Sequence, residues 1–379
     1  MATKRFRIEK DSLGEVKVPK GALWGAQTQR AVNNFPISGI KMDFPFTKSF
    51  VSSLGIIKDA AAKANLRLKL LPAKKARAIS KAAKEVWQEK HHKEFPIDVF
   101  QTGSGTSSNM NANEVIANLA SKYSKTTISA NDDVNMSQSS NDVIPTAIKV
   151  SASMDLTKKL YPALDKLINE IEKKAKSVEG LVKTGRTHLM DAMPIDLSDE
   201  LRAWTSQLNS SRKMLGVIEQ RFLELPQGGT AVGSGVNAHK QFAKYFAQEM
   251  TKLSGNKYKC VPSENFFHEL SAQDCSVQLS GELKNLAVIL MKISNDLRWM
   301  NSGPLAGLSE IELQALQPGS SIMPGKVNPV IPEAVTMASA DVIGNDVTIT
   351  VAAQAGNFQL NVMLPVIAYN LLKSINLLA

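Results

Sequence analysis

A mainly helical fold with a mixed N-terminal domain is predicted from three features of the sequence. From Ile148 onward, long segments repeat apolar residues every three or four positions, the pattern of a helix with one buried face. Residues 1–45 hold many glycines and prolines, which favour turns and short strands. Of the 379 residues, 43% are hydrophobic and 21% are charged, so the chain can bury a sizeable core.

We place the N-terminal domain at residues 1–138. Its glycine-rich and proline-rich beginning predicts an irregular arm with two short strands. From Phe46 to Lys93 the apolar spacing becomes helical, and Pro72 divides this stretch into two helices. Between Phe95 and Asn141, loops rich in Gly, Ser, Thr and Asn flank a helix predicted at about residues 113–123.

Residues 139–379 predict a central helical bundle. The apolar spacing indicates long helices at about residues 148–178, 197–223, 272–300, 332–353 and 360–378. A bend is expected at Pro162. Helices of this length are typical of an elongated bundle, and their apolar residues extend beyond one narrow stripe. We therefore expect an oligomer that covers these faces, and a monomer whose loops cover them is the alternative.

The net charge of +10 comes mostly from lysine and leaves two interpretations open. It can attract small anionic substrates, or it can belong to a solvated surface without a binding role. Glutamates interrupt the densest basic stretch, residues 69–93, and only Trp87 and Phe95 offer rings for base stacking. We therefore expect no nucleic-acid partner.

Cysteine usage and the apolar pattern predict a cytoplasmic protein. Cys260 and Cys275 form no CxxC and are far in sequence from paired histidines, so we expect buried thiols in a reducing compartment rather than a zinc site. The N-terminus lacks the apolar region of a signal peptide, and no apolar run reaches the roughly 18 residues that a membrane span needs. We therefore expect no membrane contact.

Three glycine-rich segments look like nucleotide-binding motifs but lack the required context. Gly103-Ser104-Gly105 follows no clear strand, and Gly233-Ser234-Gly235 has neither a βαβ pattern nor the expected acidic residue downstream. Gly319 to Lys326 is one residue too long for a phosphate-binding loop, and Val327 stands where Ser or Thr should bind magnesium. Nucleotide binding is therefore excluded at all three.

Four polar loops together suit a small dicarboxylate substrate. Each carboxylate needs several donors, which backbone amides, hydroxyls, an amide side chain and a lysine supply best. Abstraction of a proton beside a carboxylate also needs a base and donors for the developing charge. Groups of these types occur in Ser104-Gly105-Thr106, in Ser139-Ser140-Asn141, in Thr187-His188, and from Ser320 to Asn328.

These loops occur in the same order in the fumarase/aspartase superfamily, which the chain resembles over nearly its whole length. GSSIMPGKVNP (Gly319 to Pro329) is similar to the family signature and is highly specific. The other similar segments are LWGAQTQRA from Leu23, TGSGTSSNMNANE from Thr102, NDDVNMSQSSND from Asn131, GRTHLMDAMP from Gly185 and GNFQLNVMLPVIAYN from Gly356. His188 and Gly325 resemble class II fumarases, because aspartases typically carry glutamine and alanine there.

The resemblance implies a mostly helical fold whose central bundles pack into a homotetramer, with active sites built from loops of three subunits. It implies a fumarate hydratase of the tricarboxylic acid cycle, which forms (S)-malate by anti addition of water, with no metal or organic cofactor. One alternative is an aspartase-like ammonia lyase, against which His188 and Gly325 count. Another is a catalytically inactive structural relative, which should have lost residues such as Ser320 and Lys326.

The resemblance also assigns roles to residues. Ser320 is the base that removes the C3 proton of malate, as an oxyanion held by nearby amides. His188 handles the water, directly or through a second water, and Glu333 orients it. Lys326 and Asn328 bind a substrate carboxylate. Further substrate contacts are expected from Ser104, Gly105, Thr106, Ser139, Ser140, Asn141, Thr187, Ser321 and Val327. The glycines of the Ser320 loop predict that it opens and closes over the site.

The chain departs from the family pattern in two places. Fumarases often carry His-Pro-Asn-Asp in an accessory dicarboxylate site, where this chain has Ser129, Ala130, Asn131 and Asp132. The missing histidine predicts a weakened accessory site. Family members normally continue into a small C-terminal domain, whereas this sequence stops at Ala379, inside the predicted last bundle helix. We therefore expect that domain to be absent from this chain.

Overall fold

The computed structural model describes residues 6–379, which form two compact units that alternate along the chain. The first unit contains residues 6–155, 219–277 and 348–373. The second unit contains residues 156–218, 278–347 and 374–379. Four of the five boundaries between these segments fall inside helices.

The described residues form twelve α-helices and four two-stranded sheets. The helices are α1 (Ala26–Asn34), α2 (Ser49–Arg67), α3 (Ala73–Trp87), α4 (Thr106–Ser124), α5 (Ser140–Asp155), α6 (Tyr161–Ser177), α7 (Leu197–Arg221), α8 (Phe242–Leu253), α9 (Phe266–Ser271), α10 (Asp274–Met300), α11 (Val330–Ala353) and α12 (Leu364–Leu378). The strands are β1 (Phe6–Asp11), β2 (Gly14–Pro19), β3 (Val182–Thr187), β4 (Met190–Asp196), β5 (Glu224–Leu225), β6 (Val261–Pro262), β7 (Gly356–Asn357) and β8 (Leu360–Asn361). Consecutive strands pair, and only β5 and β6 are parallel.

The core of the first unit is built around α2. This helix packs against α3, α5 and α8, and nearly all of its residues are buried. Beside it, the ring of Phe44 lies 5.9 Å from the ring of Phe50 and 5.5 Å from that of Tyr369. Aromatic contacts of this kind stabilise a core beyond simple burial. They join the beginning of the first unit to its last segment.

Leucines and polar cross-links hold the helices of the second unit together. Buried leucines lie on α7 and α10, among them Leu208, Leu215 and Leu283. The Asp346 carboxylate on α11 accepts hydrogen bonds from Ser280 and Lys284 on α10, at 2.7 and 2.6 Å. Large apolar side chains nevertheless remain exposed on these helices: Met214, Val217, Val288, Trp299, Met337 and Val347. Exposed apolar surface of this extent is typical of a subunit contact.

The predicted mainly helical fold is confirmed, with local differences. The helix expected at about residues 113–123 begins at Thr106, and a π-helical turn at Leu156–Leu160 precedes Pro162 and separates α5 from α6. The loop expected around His188 is the hairpin β3–β4. Most residues of this hairpin are exposed, so its strands show no alternation of apolar and polar residues that could have indicated them. The division at residues 138 and 139 stays a prediction.

Among the described residues, no helix is both long enough and apolar enough to cross a membrane.

Candidate active site

The loop around Ser320 surrounds the serine hydroxyl with backbone donors. The Oγ atom of Ser320 accepts hydrogen bonds from the N–H groups of Ile322 and Met323, at 3.1 and 3.2 Å. Such donors stabilise negative charge on an oxygen without having to reorganise when the charge forms. The local geometry therefore suits a serine that carries negative charge during a reaction.

The stem of this loop is closed by two hydrogen bonds. The N–H of Gly319 donates to the carbonyl of Lys326 at 2.7 Å, and the amide side chain of Asn328 donates to the carbonyl of Gly319 at 2.9 Å. A Cβ atom on Gly319 would lie 2.4 Å from the Lys326 carbonyl oxygen, so only glycine fits there. Gly325, with a φ of +83°, makes the turn at the far end. Asn328 thus has a structural role that the sequence did not indicate.

His188 lies at the tip of the hairpin β3–β4. Thr187 pairs with Met190, which leaves His188 and Leu189 as a two-residue turn with φ values of +56° and +62°. Positive φ at both positions is the geometry of a tight hairpin turn, although neither residue is glycine. Both side chains are exposed, as is Thr187. The imidazole is therefore open to a ligand.

The second unit also contains Glu333, in the first turn of α11, and the exposed Ser321, Lys326 and Val327. Within residues 6–379, no hydrogen bond joins Glu333 to His188. A cavity of about 1020 Å³ beside the loop is lined by Lys326, Asn328 and Glu333, together with Arg298, Trp299 and Asn301 on the end of α10 and just after it. It is large enough for a dicarboxylate with its water shell.

In the first unit, Ser104 and Gly105 lead into α4. The hydroxyls of Ser104 and Thr106 are hydrogen bonded at 2.8 Å, and Gly105 has a φ of +71°. A Cβ atom on Gly105 would lie 2.8 Å from a side-chain atom of Ile144, so glycine is required for packing as well as for conformation. Thr106 begins the helix, and a helix N-terminus favours an anion, but the N–H of Ser108 in this first turn already donates to the side chain of Gln101 at 3.0 Å.

Ser139, Ser140 and Asn141 form the corresponding start of α5. The hydroxyl of Ser139 accepts from the N–H of Asn141 at 3.2 Å, and that of Ser140 accepts from Asn109 at 2.9 Å. The side chain of Asn141 donates to the carbonyl of Ala231 at 2.7 Å. The residues predicted here thus lie together at a second helix N-terminus in the first unit.

Asp142 holds this loop in place through hydrogen bonds from backbone N–H groups. Its buried carboxylate accepts from the N–H groups of Ser139, Gly228 and Thr230 at 2.9 to 3.0 Å. Burial raises the pKa of Asp142 to about 6, against the lowering effect of these amides and of Lys58. The carboxylate thus ties the predicted substrate loop to the segment at residues 228–230. Sequence reasoning missed this residue.

Lys58 is a second residue that the sequence analysis missed. It is fully buried in α2 and donates to the side-chain oxygens of Asn135 and Gln138, each at 3.0 Å. Burial lowers the pKa of Lys58 to about 7, although the charge of Asp142 opposes this change. A lysine flanked by Ile57 and followed by alanines was the available signal, since a cation on a buried helix face needs partners.

The accessory-site residues form a π-helical turn at Ala130–Val134. The hydroxyl of Ser129 accepts from the N–H of Asp132 at 3.0 Å and donates to its carboxylate at 2.8 Å. A cavity of about 330 Å³ borders Ala130 and Asn131, and its other walls include the carboxylates of Asp11 and Glu114. The same cavity also borders Lys10, and Asp11 is paired with Arg30 at 2.8 Å, so the weakened accessory site stays a prediction.

Taken separately, the two units carry different parts of one chemistry. The first offers helix N-termini with hydroxyls for anionic groups, and the second offers an amide-held serine, an accessible imidazole and a lysine. Such a set suits removal of a proton next to a carboxylate and elimination of a neighbouring group, which is lyase chemistry. The sequence pattern of the lyase family matches residues 14–344, so the chain belongs to that family.

Three similar proteins indicate which kind of lyase the chain resembles. The chain is 56% identical to class II fumarate hydratase 2 of Pseudomonas aeruginosa, over 98% of this chain and 80% of that protein. It is 49% identical to the class II fumarate hydratase of Bacillus subtilis, over 99% of this chain and 81% of that protein. A crystal structure of class II fumarase from Schistosoma mansoni superposes with a TM-score of 0.96 at 39% identity, covering 99% of this chain and 82% of that chain. Within the lyases, the chain belongs to the class II fumarate hydratase family.

Proposed function

We propose that the chain catalyses the reversible hydration of fumarate to (S)-malate with Ser320 as the base. The observation that supports this role is the pair of backbone N–H groups that point at the Ser320 hydroxyl oxygen. A serine hydroxyl is a weak base unless its anion is stabilised. The two amides provide that stabilisation, and Lys326 adds a positive charge to the same loop.

In the direction of dehydration, the Ser320 oxyanion takes the proton from C3 of malate. The electron pair of that C–H bond moves toward the neighbouring carboxylate, where Lys326 and Asn328 oppose the growing negative charge. The C2–O bond then breaks as His188 gives a proton to the departing oxygen, directly or through a water. Water leaves from the face opposite the removed proton. Glu333 makes no hydrogen bond to His188 within the described residues of one chain, so we assign it to the imidazole of a site shared between subunits, where it keeps that imidazole basic in the reverse reaction.

The first unit supplies the remaining donors for the substrate carboxylates. Ser104, Gly105 and Thr106 stand at the N-terminus of α4, and Ser139, Ser140 and Asn141 stand at that of α5. The amides and hydroxyls at a helix start favour anions. We assign one carboxylate of the substrate to donors of this kind and the other to Lys326 and Asn328.

We further propose a cytoplasmic homotetramer whose active sites are shared between subunits. The exposed apolar side chains of α7, α10 and α11 support the oligomer, because a single chain leaves them in water. Both cysteines are free thiols, and burial raises the pKa of Cys260 to about 11. Unreactive thiols of this kind fit a reducing compartment.

Fumarate absorbance tests the activity and the role of Ser320 together. The purified chain should consume fumarate without ammonium, and Ser320→Ala should slow this by about 100-fold or more, the contribution of a positioned base. Ser177→Ala, at an exposed serine that ends α6, is the control, and it should leave the turnover number unchanged. Consumption only with ammonium would indicate an ammonia lyase, and an active Ser320→Ala variant would exclude the serine as the base.

A further inference from the structure

We propose that Glu310 is a positioning residue that sets the catalytic loop against the His188 hairpin. The inference rests on the proposed hydratase mechanism. Glu310 contacts neither the reacting atoms nor any residue to which a role in chemistry is assigned. Its importance lies in the two segments that its carboxylate and its backbone hold together within the second unit.

The carboxylate of Glu310 bridges two cations of β3. One oxygen accepts from the Arg186 guanidinium at 2.5 Å, and the other lies 3.0 Å from the Lys183 ammonium. Lys183 also pairs with Glu200 of α7 at 2.6 Å. The side chain of Glu310 is only 15% exposed, which makes this cluster more than a surface ion pair. Arg186 is on β3, which ends at Thr187, just before His188.

The backbone around Glu310 is anchored to the end of α10. The N–H groups of Glu310 and Ile311 both donate to the carbonyl of Met300, at 2.8 and 3.2 Å. The N–H of Leu313 donates to the side chain of Asn301 at 2.8 Å. Beyond Leu313, residues 314–318 are exposed up to the stem of the Ser320 loop. Glu310 therefore fixes the segment that leads into the catalytic loop to the His188 hairpin.

The balance of charge in this cluster depends on Glu310. Without its negative charge, Arg186 and Lys183 repel each other on the same strand, and only Glu200 remains to neutralise Lys183. The hairpin tip and the loop stem can then shift independently. Displacement of a catalytic group by about 1 Å can slow a reaction by about 100-fold while leaving substrate binding nearly intact. A positioning residue should therefore act on kcat more than on KM.

The test compares Glu310→Gln with Glu179→Gln. Glu179→Gln removes a different ion pair, with Arg202, near the start of the same hairpin. We expect Glu310→Gln to lower kcat by about 10-fold or more while KM changes by less than about threefold. Glu310→Asp, which keeps the charge, should recover part of the lost kcat. Glu179→Gln should stay close to the wild type. A kcat near that of the wild type for Glu310→Gln, or an equal loss in both variants, would overturn the inference.

Amide hydrogen exchange tests the same coupling without using activity. Glu310→Gln should speed exchange both in residues 186–190 and in residues 319–328, whereas Glu179→Gln should leave the second segment unchanged. Unchanged exchange in Glu310→Gln would contradict the inference, whether or not the wild type is active. A wild type without hydratase activity would instead refute the proposed function, so the two failures can be distinguished. If Glu310→Gln does not fold, Arg186→Gln removes the same bridge from the hairpin side and is measured in the same way.

Discussion

Individual buried charges determine how the predicted substrate loops are held in the first unit. The Lys58 ammonium donates hydrogen bonds to the side chains of Asn135 and Gln138. The Asp142 carboxylate, two residues after Ser140, accepts hydrogen bonds from three backbone N–H groups. An unpaired charge in such a place would cost several kcal/mol. These two residues therefore hold the loop from its buried side, while the partly buried residues that would touch a substrate lie in the loop itself.

The lowered pKa of Lys58 predicts how stability changes with pH. The folded lysine loses its proton near pH 7, whereas the unfolded one keeps it up to its ordinary pKa of 10.5. Between these values the unfolded state binds more protons, so the free energy of unfolding rises with pH, by at most about 1.4 kcal/mol per pH unit. In Lys58→Met this contribution is missing. Denaturant unfolding of both proteins should show a stability difference that shifts in favour of the wild type between about pH 7 and 9.

A pH-independent stability difference between these two proteins would mean that Lys58 stays protonated in the folded state. Lys63→Met is a suitable control, because Lys63 lies on the same helix and is paired with Asp59 at 3.0 Å but is 35% exposed. The stability difference between the wild type and Lys63→Met, measured over the same pH range, is the baseline for that of Lys58→Met.

At the scale of elements, turns rather than helices place the residues to which catalysis is assigned. His188 sits in a hairpin turn, Ser320 in a closed loop, and the donors of the first unit at helix starts. The helices were predictable because their apolar spacing is regular over many turns. The hairpin β3–β4 was not, since its exposed strands carry no such spacing.

The Ser320 loop allows a matched comparison of two glycines. Gly319→Ala places a methyl group 2.4 Å from the Lys326 carbonyl and must open the stem, whereas an alanine at Gly325 meets no atom within 4 Å. We expect Gly319→Ala to lower kcat by about 10-fold or more, because the serine and its amides lose their alignment. In Gly325→Ala the only cost is the positive φ of the residue, a strain of about 1 kcal/mol. This variant should therefore keep a larger fraction of the wild-type kcat than Gly319→Ala does. If steady-state kinetics gave Gly325→Ala the lower kcat of the two variants, closure of the stem could not be the reason for the glycine at position 319.

The candidate site was predictable only in part, for a physical reason. Motifs in the sequence identify residues that sit in specific polar loops, and Ser320, His188 and Lys326 are of that kind. Lys58, Asp142 and Glu310 act through contacts between segments far apart in sequence. Nothing near Glu310 in the chain indicates that Arg186 and Lys183 will meet it. Only the folded chain brings them together.

For the whole molecule, the helices of the second unit expose more apolar surface than a stable monomer usually carries. Val288 in the middle of α10 is 52% exposed, and Met337 on α11 is 68% exposed. A second copy of the chain is the partner we propose for these faces. The activity should then depend on assembly, since the active sites are proposed to be shared.

Val288→Glu should therefore reduce both the oligomer size and the activity. A carboxylate buried in a subunit contact costs several kcal/mol, which is enough to dissociate many oligomers. Leu13→Glu places the same charge on the tip of the β1–β2 hairpin, where Leu13 is 79% exposed, and should change neither. Sedimentation velocity and fumarate turnover, measured on the same samples, check both expectations. If the Val288→Glu oligomer were intact and fully active, α10 could not be part of the proposed subunit contact.

The alternation of the two units along the chain has a consequence during protein synthesis. The aromatic contacts of Phe44 include Tyr369, which emerges from the ribosome hundreds of residues later. The first unit therefore cannot complete its core until Tyr369 has been synthesised, and the apolar faces of its early helices stay uncovered until then. Contacts so distant in sequence slow folding and prolong exposure to aggregation. Nascent chains of this protein should accordingly rely on chaperones while the segment up to Tyr369 is being made.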